Sequence, residues 1–303
     1  MLDVVGQSAG ASSANGAEPT APSGARGNGA PAVSSGVADL ELHLLLEAVH
    51  RVSGYDLRDY APATLKRRVA ERVRAEGVAT IAGLLERVLH EPDAMVRFVD
   101  ALTHNGGSPF REPPFFAAFR ERVLPRLRTF PHARIWVVGS GDDAYALAIL
   151  LREAQFYHRT RIYATDATDG SVERAKRGAF SLEMLDEYSQ RYAEAGGTRS
   201  FSDYVDISGG TAAYKPGLRE QIVFAQHNVM CDGSFNEFHV VVARGVVANF
   251  NRGLAYRVHQ VFYESLVRLG FLGLSAKETL RYTPHAGAFE ELPETETFYR
   301  RVR

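Results

Sequence analysis

The chain has a single cysteine, Cys231, in 303 residues. A lone thiol cannot build an internal disulfide framework, and no Cys/His spacing suits a structural zinc site, so no metal is expected. Cys231 reads as an incidental free thiol. An excess of charge of one sign is also missing: 35 Lys and Arg stand against 36 Asp and Glu, a formal net charge of −1. That balance removes the global field that would point to nucleic acid. No apolar run approaches the roughly 18 residues needed to cross a bilayer, so direct membrane insertion is not expected. The opening MLDVVGQSAG lacks the basic start and apolar middle of a secretory signal, and the expected location is cytoplasmic. What is present is 45% hydrophobic, ample for a core.

Residues 1–37, dominated from Gly6 by Ala, Gly, Ser and Pro, cannot bury enough apolar surface to offset their ordering entropy and are expected to form a disordered leader. From Asp39 the character changes. ADLELHLLLEAVHRVSG, PATLKRRVAERVRAEG, TIAGLLERVLHE and PDAMVRFVDALTH each carry helical apolar spacing between Gly, Pro, Thr or Asp boundaries. They predict a small four-helix domain over 38–107. Beyond it, over 108–303, helix and strand alternate. Helices are expected at Pro113 to Phe130, Ala144 to Phe156, Ser171 to Arg177 and Leu254 to Leu269, and strands at Ile135, Arg161 to Thr165, Gln221 to Gln226, Phe238 to Ala243 and Phe271 to Ser275. The fold class is therefore α/β, a doubly wound Rossmann-like sheet preceded by an all-α unit. An irregular stretch near 198–218, holding Gly209-Gly210, predicts a small antiparallel insertion.

The most informative segment is ARIWVVGSGDDAYALA, where an apolar strand runs through Gly139-Ser140-Gly141 into an apolar helix. Glycines there let the backbone turn sharply and approach a ligand at a helix N-terminus. The next strand, RIYATDAT, ends in Asp166, placed either to accept hydrogen bonds from ribose hydroxyls or to cap the strand end. Position 144 is Ala rather than a third Gly, and Asp142 and Asp143 follow the turn. Two carboxylates there would repel a pyrophosphate, which favours a cofactor without phosphate, S-adenosylmethionine; their other reading is simple stabilisation of the helix N-terminus. The second helix carries Lys66, Arg67, Arg68, Arg72 and Arg74, with Val69, Ala70 and Val73 as its expected buried face. This run is either a solvated basic face or a docking surface for an acidic protein partner. No aromatic residues interleave with it, so nucleic acid is not the expected partner.

The ordered set HNGGSPFRE, RIWVVGSGDDAYALAILL, IYATD, AKRGAF, VFAQHNV, FHVVVARGVVANF and FLGLSAKETL resembles the chemotaxis receptor methyltransferases, the CheR family, over Asp39 to Arg303. The resemblance implies an N-terminal helical domain joined to a methyltransferase domain. The latter would use S-adenosylmethionine, releasing S-adenosylhomocysteine, to methylate glutamates on a chemoreceptor or receptor-like signalling protein. The basic helix would serve in docking. By the same resemblance Asn105, Arg111, Gly139, Gly141, Asp142, Asp143, Asp166, Asn228, Val229, Gly245 and Val246 border the cofactor, and Arg111 and Arg244 act in catalysis. For Arg111 a structural ion pair stands as the other reading. Several positions depart from the family pattern. The cofactor-side Thr is Gly107, one Phe is Pro109, and the glycine loop is two residues shorter with Asp at both Glu positions. The Asn after Arg244 is Gly245, and a Tyr is Asn249. Two functions are thus open: an active glutamate O-methyltransferase, or a catalytically impaired scaffold for the same partners. Methyl transfer to an ionised carboxylate needs alignment rather than a general base, so lost contacts weaken cofactor binding first.

Overall fold

The computed structural model describes residues 35–103, 107–281, 283–295 and 297–303. Most of the expected leader and Asn105 lie outside the described residues. Helices α1 (Ser35–Ser53), α2 (Pro62–Ala75), α3 (Ile81–His90) and α4 (Pro92–Thr103) follow in sequence. Pro62 opens α2 where its missing N–H is not needed, and the Thr80 hydroxyl caps α3 by accepting from Gly83 N at 3.0 Å. One boundary needs correction. α1 begins at Ser35, inside the stretch assigned to the leader; Gly36 and Val37 near its start are exposed, so the helix gains these residues without burying them.

The helices are pinned together by one carboxylate. Glu76, at the end of α2 with a side chain 7% exposed, accepts from Arg97 of α4 at 3.0 Å twice, from Arg87 of α3 at 3.5 Å, and from Arg72 one turn back.

The rest of the chain starts with α5 (Pro113–Ala118) and α6 (Leu124–Leu127), joined by a π-turn over Phe119–Val123. Pro125, which cannot donate to the helical ladder, accounts for the irregularity. There follow β1 (Ala133–Val138), α7 (Gly141–Glu153), β2 (Thr160–Asp166), α8 (Asp169–Arg177), β3 (Ala179–Ser181) and α9 (Leu185–Glu194). Next come β4 (Val205–Ser208), β5 (Thr211–Tyr214), β6 (Ile222–Gln226) and β7 (Phe238–Val242). The chain closes with α10 (Arg252–Ser265), β8 (Leu266–Gly273), β9 (Phe289–Glu291) and β10 (Phe298–Arg301). The main sheet has the order β6-β2-β1-β7-β8-β10-β9, parallel through β8 and antiparallel at β10 and β9. It is a mixed Rossmann-like sheet whose two antiparallel strands were not anticipated. β3, β5 and β4 form a small antiparallel sheet, with Gly209 and Gly210 at positive φ in its turn.

One helix was read too long. α10 ends at Ser265, and the residues expected to continue it open β8 through a register shift against β7.

Alternation along β1 sets the two cores. Ile135 and Val137 face a cluster with α5, α6, α7 and α9, whereas Trp136 and Val138 face a second cluster with α10. That second cluster continues without a break into Leu45, Val49, Phe98 and Leu102 of the helical unit. Polar bonds reinforce the joint. Tyr55 Oη donates to the Ala167 carbonyl at 3.2 Å, Asn251 Nδ2 to Asp59 at 2.9 Å, and Tyr60 pairs with Phe250 as an isolated bridge with rings 5.2 Å apart. The helical unit is thereby fixed over the C-terminal ends of β1, β2 and β7. Among the described residues no helix is long and apolar enough to cross a membrane.

Glu76→Ala removes the acceptor shared by three guanidinium groups. Since those groups are partly hydrated, the expected loss by urea denaturation is about 2 to 3 kcal/mol, below that for a fully buried pair. A loss under about 0.5 kcal/mol would show that solvent already screens the trio.

Candidate active site

The order of strands reverses between β1 and β7, and an open α/β sheet offers a crevice at such a point, beyond the carboxyl ends of its strands. Two hollows meet there, both bordered by Gly139 and Asp166. One, of about 180 Å³, lies against Gly107, Gly141, Asp142, Tyr145, Ser171 and Arg174. The other is a narrow slot between Tyr60, Val138, Asn228, Val229, Val246 and Phe250. Gly139 makes both possible. At φ +68 it turns the chain out of β1, its N–H bonded to the Thr165 carbonyl at 2.7 Å. Ser140 then caps α7, accepting from Asp143 N at 3.3 Å.

Two carboxylates face this cleft in unusual states. Burial pushes Asp142 up to about 6, aided by the neighbouring Asp143 charge and opposed by Arg111. Burial likewise pushes Asp166 up to about 6, although its Oδ1 accepts from Ala167 N at 2.7 Å and Arg174 opposes the rise. Perturbed carboxylates in a cleft are a mark of a functional site. Gly107 is part of the same arrangement: a Cβ there would strike Asp142 Oδ2.

Four expected site residues, Arg111, Asp143, Arg244 and Gly245, line neither hollow. Arg244 has a side chain with no exposed surface, clamped against the rings of Phe115 and Phe116 at 4.5 and 5.0 Å. Its Nη1 donates to Asp143 Oδ1 at 2.8 Å, its Nη2 donates to the Arg111 carbonyl, and Glu112 lies 3.5 Å away. The guanidinium is buried in that cage and lines neither hollow, so the structure gives Arg244 a structural place rather than one facing the cleft. Asp143 is corrected with it. Successive helical residues point about 100° apart, so Asp142 faces the cleft while Asp143 faces Arg244. Burial pushes Asp143 upward and the Arg244 charge opposes it. Arg111 is half-buried behind the cleft, close enough for its charge to act on Asp142, with Nη2 donating to the Arg244 carbonyl at 3.5 Å and lying 3.6 Å from where a Cβ on Gly245 would stand.

The loop carrying Gly245 and Val246 depends on a residue that sequence reasoning missed. The Glu278 carboxylate accepts from the N–H groups of Gly245, Val247, Ala248 and Ser275 at 2.8, 2.9, 3.0 and 3.1 Å. Only its place in the segment FLGLSAKETL pointed to it. Tyr60, Met230 and Phe250 also border the slot unforeseen. At the far end of the loop, Asn249 Nδ2 donates to the Gly245 carbonyl at 3.0 Å and its Oδ1 accepts from Arg68 at 3.4 Å.

This last bond corrects the basic helix as well. Arg68 is buried, donating also to the Leu102 carbonyl, and Arg72 is engaged with Glu76, so neither stands on an open docking face. The inward stripe of α2 is Leu65, Arg68 and Val69, while Ala70 is exposed and Val73 only half-buried. Lys66, Arg67 and Arg74 remain exposed, Lys66 paired with Asp39 at 2.6 Å and Arg67 with Glu71 at 2.9 Å.

Arg244→Met leaves Asp143 without its counter-charge and is expected to cost about 3 to 5 kcal/mol in urea denaturation. Arg244→Met/Asp143→Leu should recover most of that loss. Failure of the double variant to recover any would show that the cage, rather than the pair, sets the cost.

Comparison with known proteins agrees with this geometry. The family model described as "CheR methyltransferase, all-alpha domain" matches residues 40–103, and that described as "CheR methyltransferase, SAM binding domain" matches residues 105–298. A Pseudomonas putida protein named Cher3 is 38% identical over 265 residues, 87% of this chain and 97% of its own. A "Chemotaxis protein methyltransferase" of Listeria monocytogenes is 26% identical over 80% of this chain and 92% of its own. Among solved structures, the N-methyltransferase NodS of Bradyrhizobium japonicum with S-adenosyl-l-homocysteine shares 12% identity over 65% of this chain and 89% of its own, at a TM-score of 0.34, too slight a likeness to bear on the assignment. With both domains matched in order and a relative covered almost end to end, the chain belongs to the CheR family of S-adenosylmethionine-dependent methyltransferases.

Proposed function

We propose that this protein methylates glutamate side chains of a chemoreceptor or receptor-like signalling protein. The observation that carries the reading is the pair of hollows meeting at Asp166, one of mixed polarity holding Asp142 and one a narrow, mainly apolar slot. Their linings fit S-adenosylmethionine. The slot between Val138, Val229, Val246 and Phe250 suits a purine with Asn228 at its edge. Asp166 suits the ribose hydroxyls, and Asp142 with Arg111 suits an amino-acid end that carries both charges. When bound, the cofactor supplies the methyl group and a sulfonium leaving group. The chain's own residues orient and enclose it, and the target glutamate, ionised at neutral pH, needs no base.

The receptor part of the reading is supported by relatives named for chemotaxis and by α2. Exposed ion pairs such as Lys66 with Asp39 contribute little, so Lys66, Arg67 and Arg74 can exchange intramolecular partners for an acidic helix at small cost. An active enzyme is favoured over a scaffold because the departures at Gly107, Gly245 and Asn249 each sit within an ordered polar arrangement.

The test is transfer of label from methyl-labelled S-adenosylmethionine to purified receptor signalling domains, scored as label released by mild alkali, as a methyl ester requires. Asp166→Asn should weaken S-adenosylhomocysteine binding by about tenfold or more, the loss expected for one charge-assisted contact. Lys66→Glu/Arg67→Glu/Arg74→Glu should cut transfer by about tenfold through encounter alone, with S-adenosylhomocysteine affinity unchanged. Cofactor binding without alkali-labile label on any receptor domain would leave the scaffold reading.

Acidity supplies a further check. Asp142 and Asp166 act as anions but titrate near 6, so S-adenosylhomocysteine affinity should be level above about pH 7 and fall as pH drops through 6. In the free protein the sign reverses. A raised carboxylate adds stability that is full below its ordinary pKa of 3.8 and is lost as pH rises through 6. Calorimetric titration from pH 5 to 8 on wild type and Asp166→Asn reads the first trend, and an affinity flat across that range would remove both carboxylates from the contact.

A further inference from the structure

A second concavity lies at the opposite end of the sheet, where β1, β2 and β7 begin. It encloses about 550 Å³, within the usual range for small-molecule sites, and His132, Arg134, His158, Arg159, Arg161 and His239 line it. No acidic side chain does.

The arrangement at its floor is unusual. Arg134 of β1 and Arg161 of β2 are direct register partners, so two guanidinium groups stand side by side on one face of a parallel pair. On the other side of Arg134, its backbone N–H donates to His239 Nδ1 at 3.1 Å, which places His239 of β7 next in the row. Like charges directly opposite across strands are destabilising. Among the described residues, the ion pairs leave this row out altogether: Arg134, Arg159 and Arg161 take no part in any of them.

Their partners are neutral. Arg134 Nη1 donates to Asn236 Oδ1 at 2.9 Å and Arg161 Nη1 to the Glu220 carbonyl at 3.1 Å. Arg159 donates to the carbonyls of Pro131 and Phe130 at 2.9 and 2.5 Å. These bonds hold the guanidinium groups in place without neutralising them and leave further N–H donors available, which is how an anion site is prepared in advance. The local field agrees: at half-buried His239, burial and then the Arg134 charge lower the pKa, and the pull of Glu237 is the weaker influence.

We propose that this hollow is a binding site for a small molecule carrying a di- or triphosphate. Three neighbouring strands spread the row over roughly 10 Å, two interstrand spacings, which is wider than one phosphate and suited to a chain of two or three. Guanidinium forks are the side chains best matched to phosphate oxygens. The site is distinct from the methyltransferase cleft, from which it is separated by the length of β1, and does not depend on the reaction proposed there.

Isothermal titration of the full chain with sodium tripolyphosphate, at ionic strength held constant with sodium chloride, tests it. Saturable binding is expected, weakened about tenfold or more in Arg134→Gln/Arg161→Gln, with S-adenosylhomocysteine affinity unchanged in that variant. Should the double variant fail to fold, Arg161→Gln alone carries the test. Arg161 is exposed, and its removal relieves like-charge contact, so the variant should melt no lower than wild type in phosphate-free buffer yet gain less from tripolyphosphate. Absence of saturable binding up to about 10 mM, undiminished binding in the variants, or competition between tripolyphosphate and S-adenosylhomocysteine would each overturn the proposal.

Discussion

The buried pair of Arg244 and Asp143 is the interaction on which the cleft depends. Each ion costs several kcal/mol to take out of water, and the attraction between them offsets this only where geometry and further bonds are good. Here the guanidinium has two phenyl faces, the Arg111 carbonyl and a second carboxylate at Glu112. The chain order gives the pair its importance. Asp143 follows Asp142, and Arg244 lies two residues before Val246, so fixing the buried members sets the direction of Asp142 and Val246, which border the hollows.

A second anion completes the frame on the other side. Among the described residues Glu278 forms no ion pair; its carboxylate gathers four backbone N–H groups, a strong use of charge in a turn that would otherwise leave those donors unpaired. The same loop runs on to Asn249, and through Arg68 to the Leu102 carbonyl of α4. Helix α2 is therefore joined to the wall of the slot by continuous hydrogen bonds and by the shared apolar cluster. Whatever docks on its exposed face docks on a rigid part of the site.

Much of this could be read from the sequence, and the failures have definite causes. The glycine turn and Asp166 were legible because a strand, a turn and a helix each leave their own period, and the parallel strands β1, β2, β6 and β7 because their apolar runs are short and well bounded. Asp142 and Asp143 were not separable, since nothing in the string says which of two adjacent acids a helix turns inward. Arg68 was hidden in a basic run, yet Leu65 and Val69 on either side give the inward phase and could have revealed it. The β8 boundary misled because Leu266, Leu269 and Gly270 fit a helical tail as well as a bulged strand. Glu278 had no signal beyond its place in FLGLSAKETL, because its partners are backbone groups, which sequence does not distinguish.

The departures from the family pattern take on a different meaning once placed in space. Counted as missing side chains, Gly107 and Gly245 imply lost contacts and a weakened cofactor site. Placed in the structure, each borders a charged group: a Cβ at 107 would strike the Asp142 carboxylate, and the Arg111 guanidinium lies 3.6 Å from where one at 245 would be. Gly245 also keeps φ at +73, the left-handed region that Asn tolerates best after Gly, so exchange between the two changes a side chain without changing the loop. The acid at 142 and the absent side chain at 107 are neighbours in space, so their effects are coupled, and a tally of lost hydrogen bonds that treats the positions as independent does not apply to them.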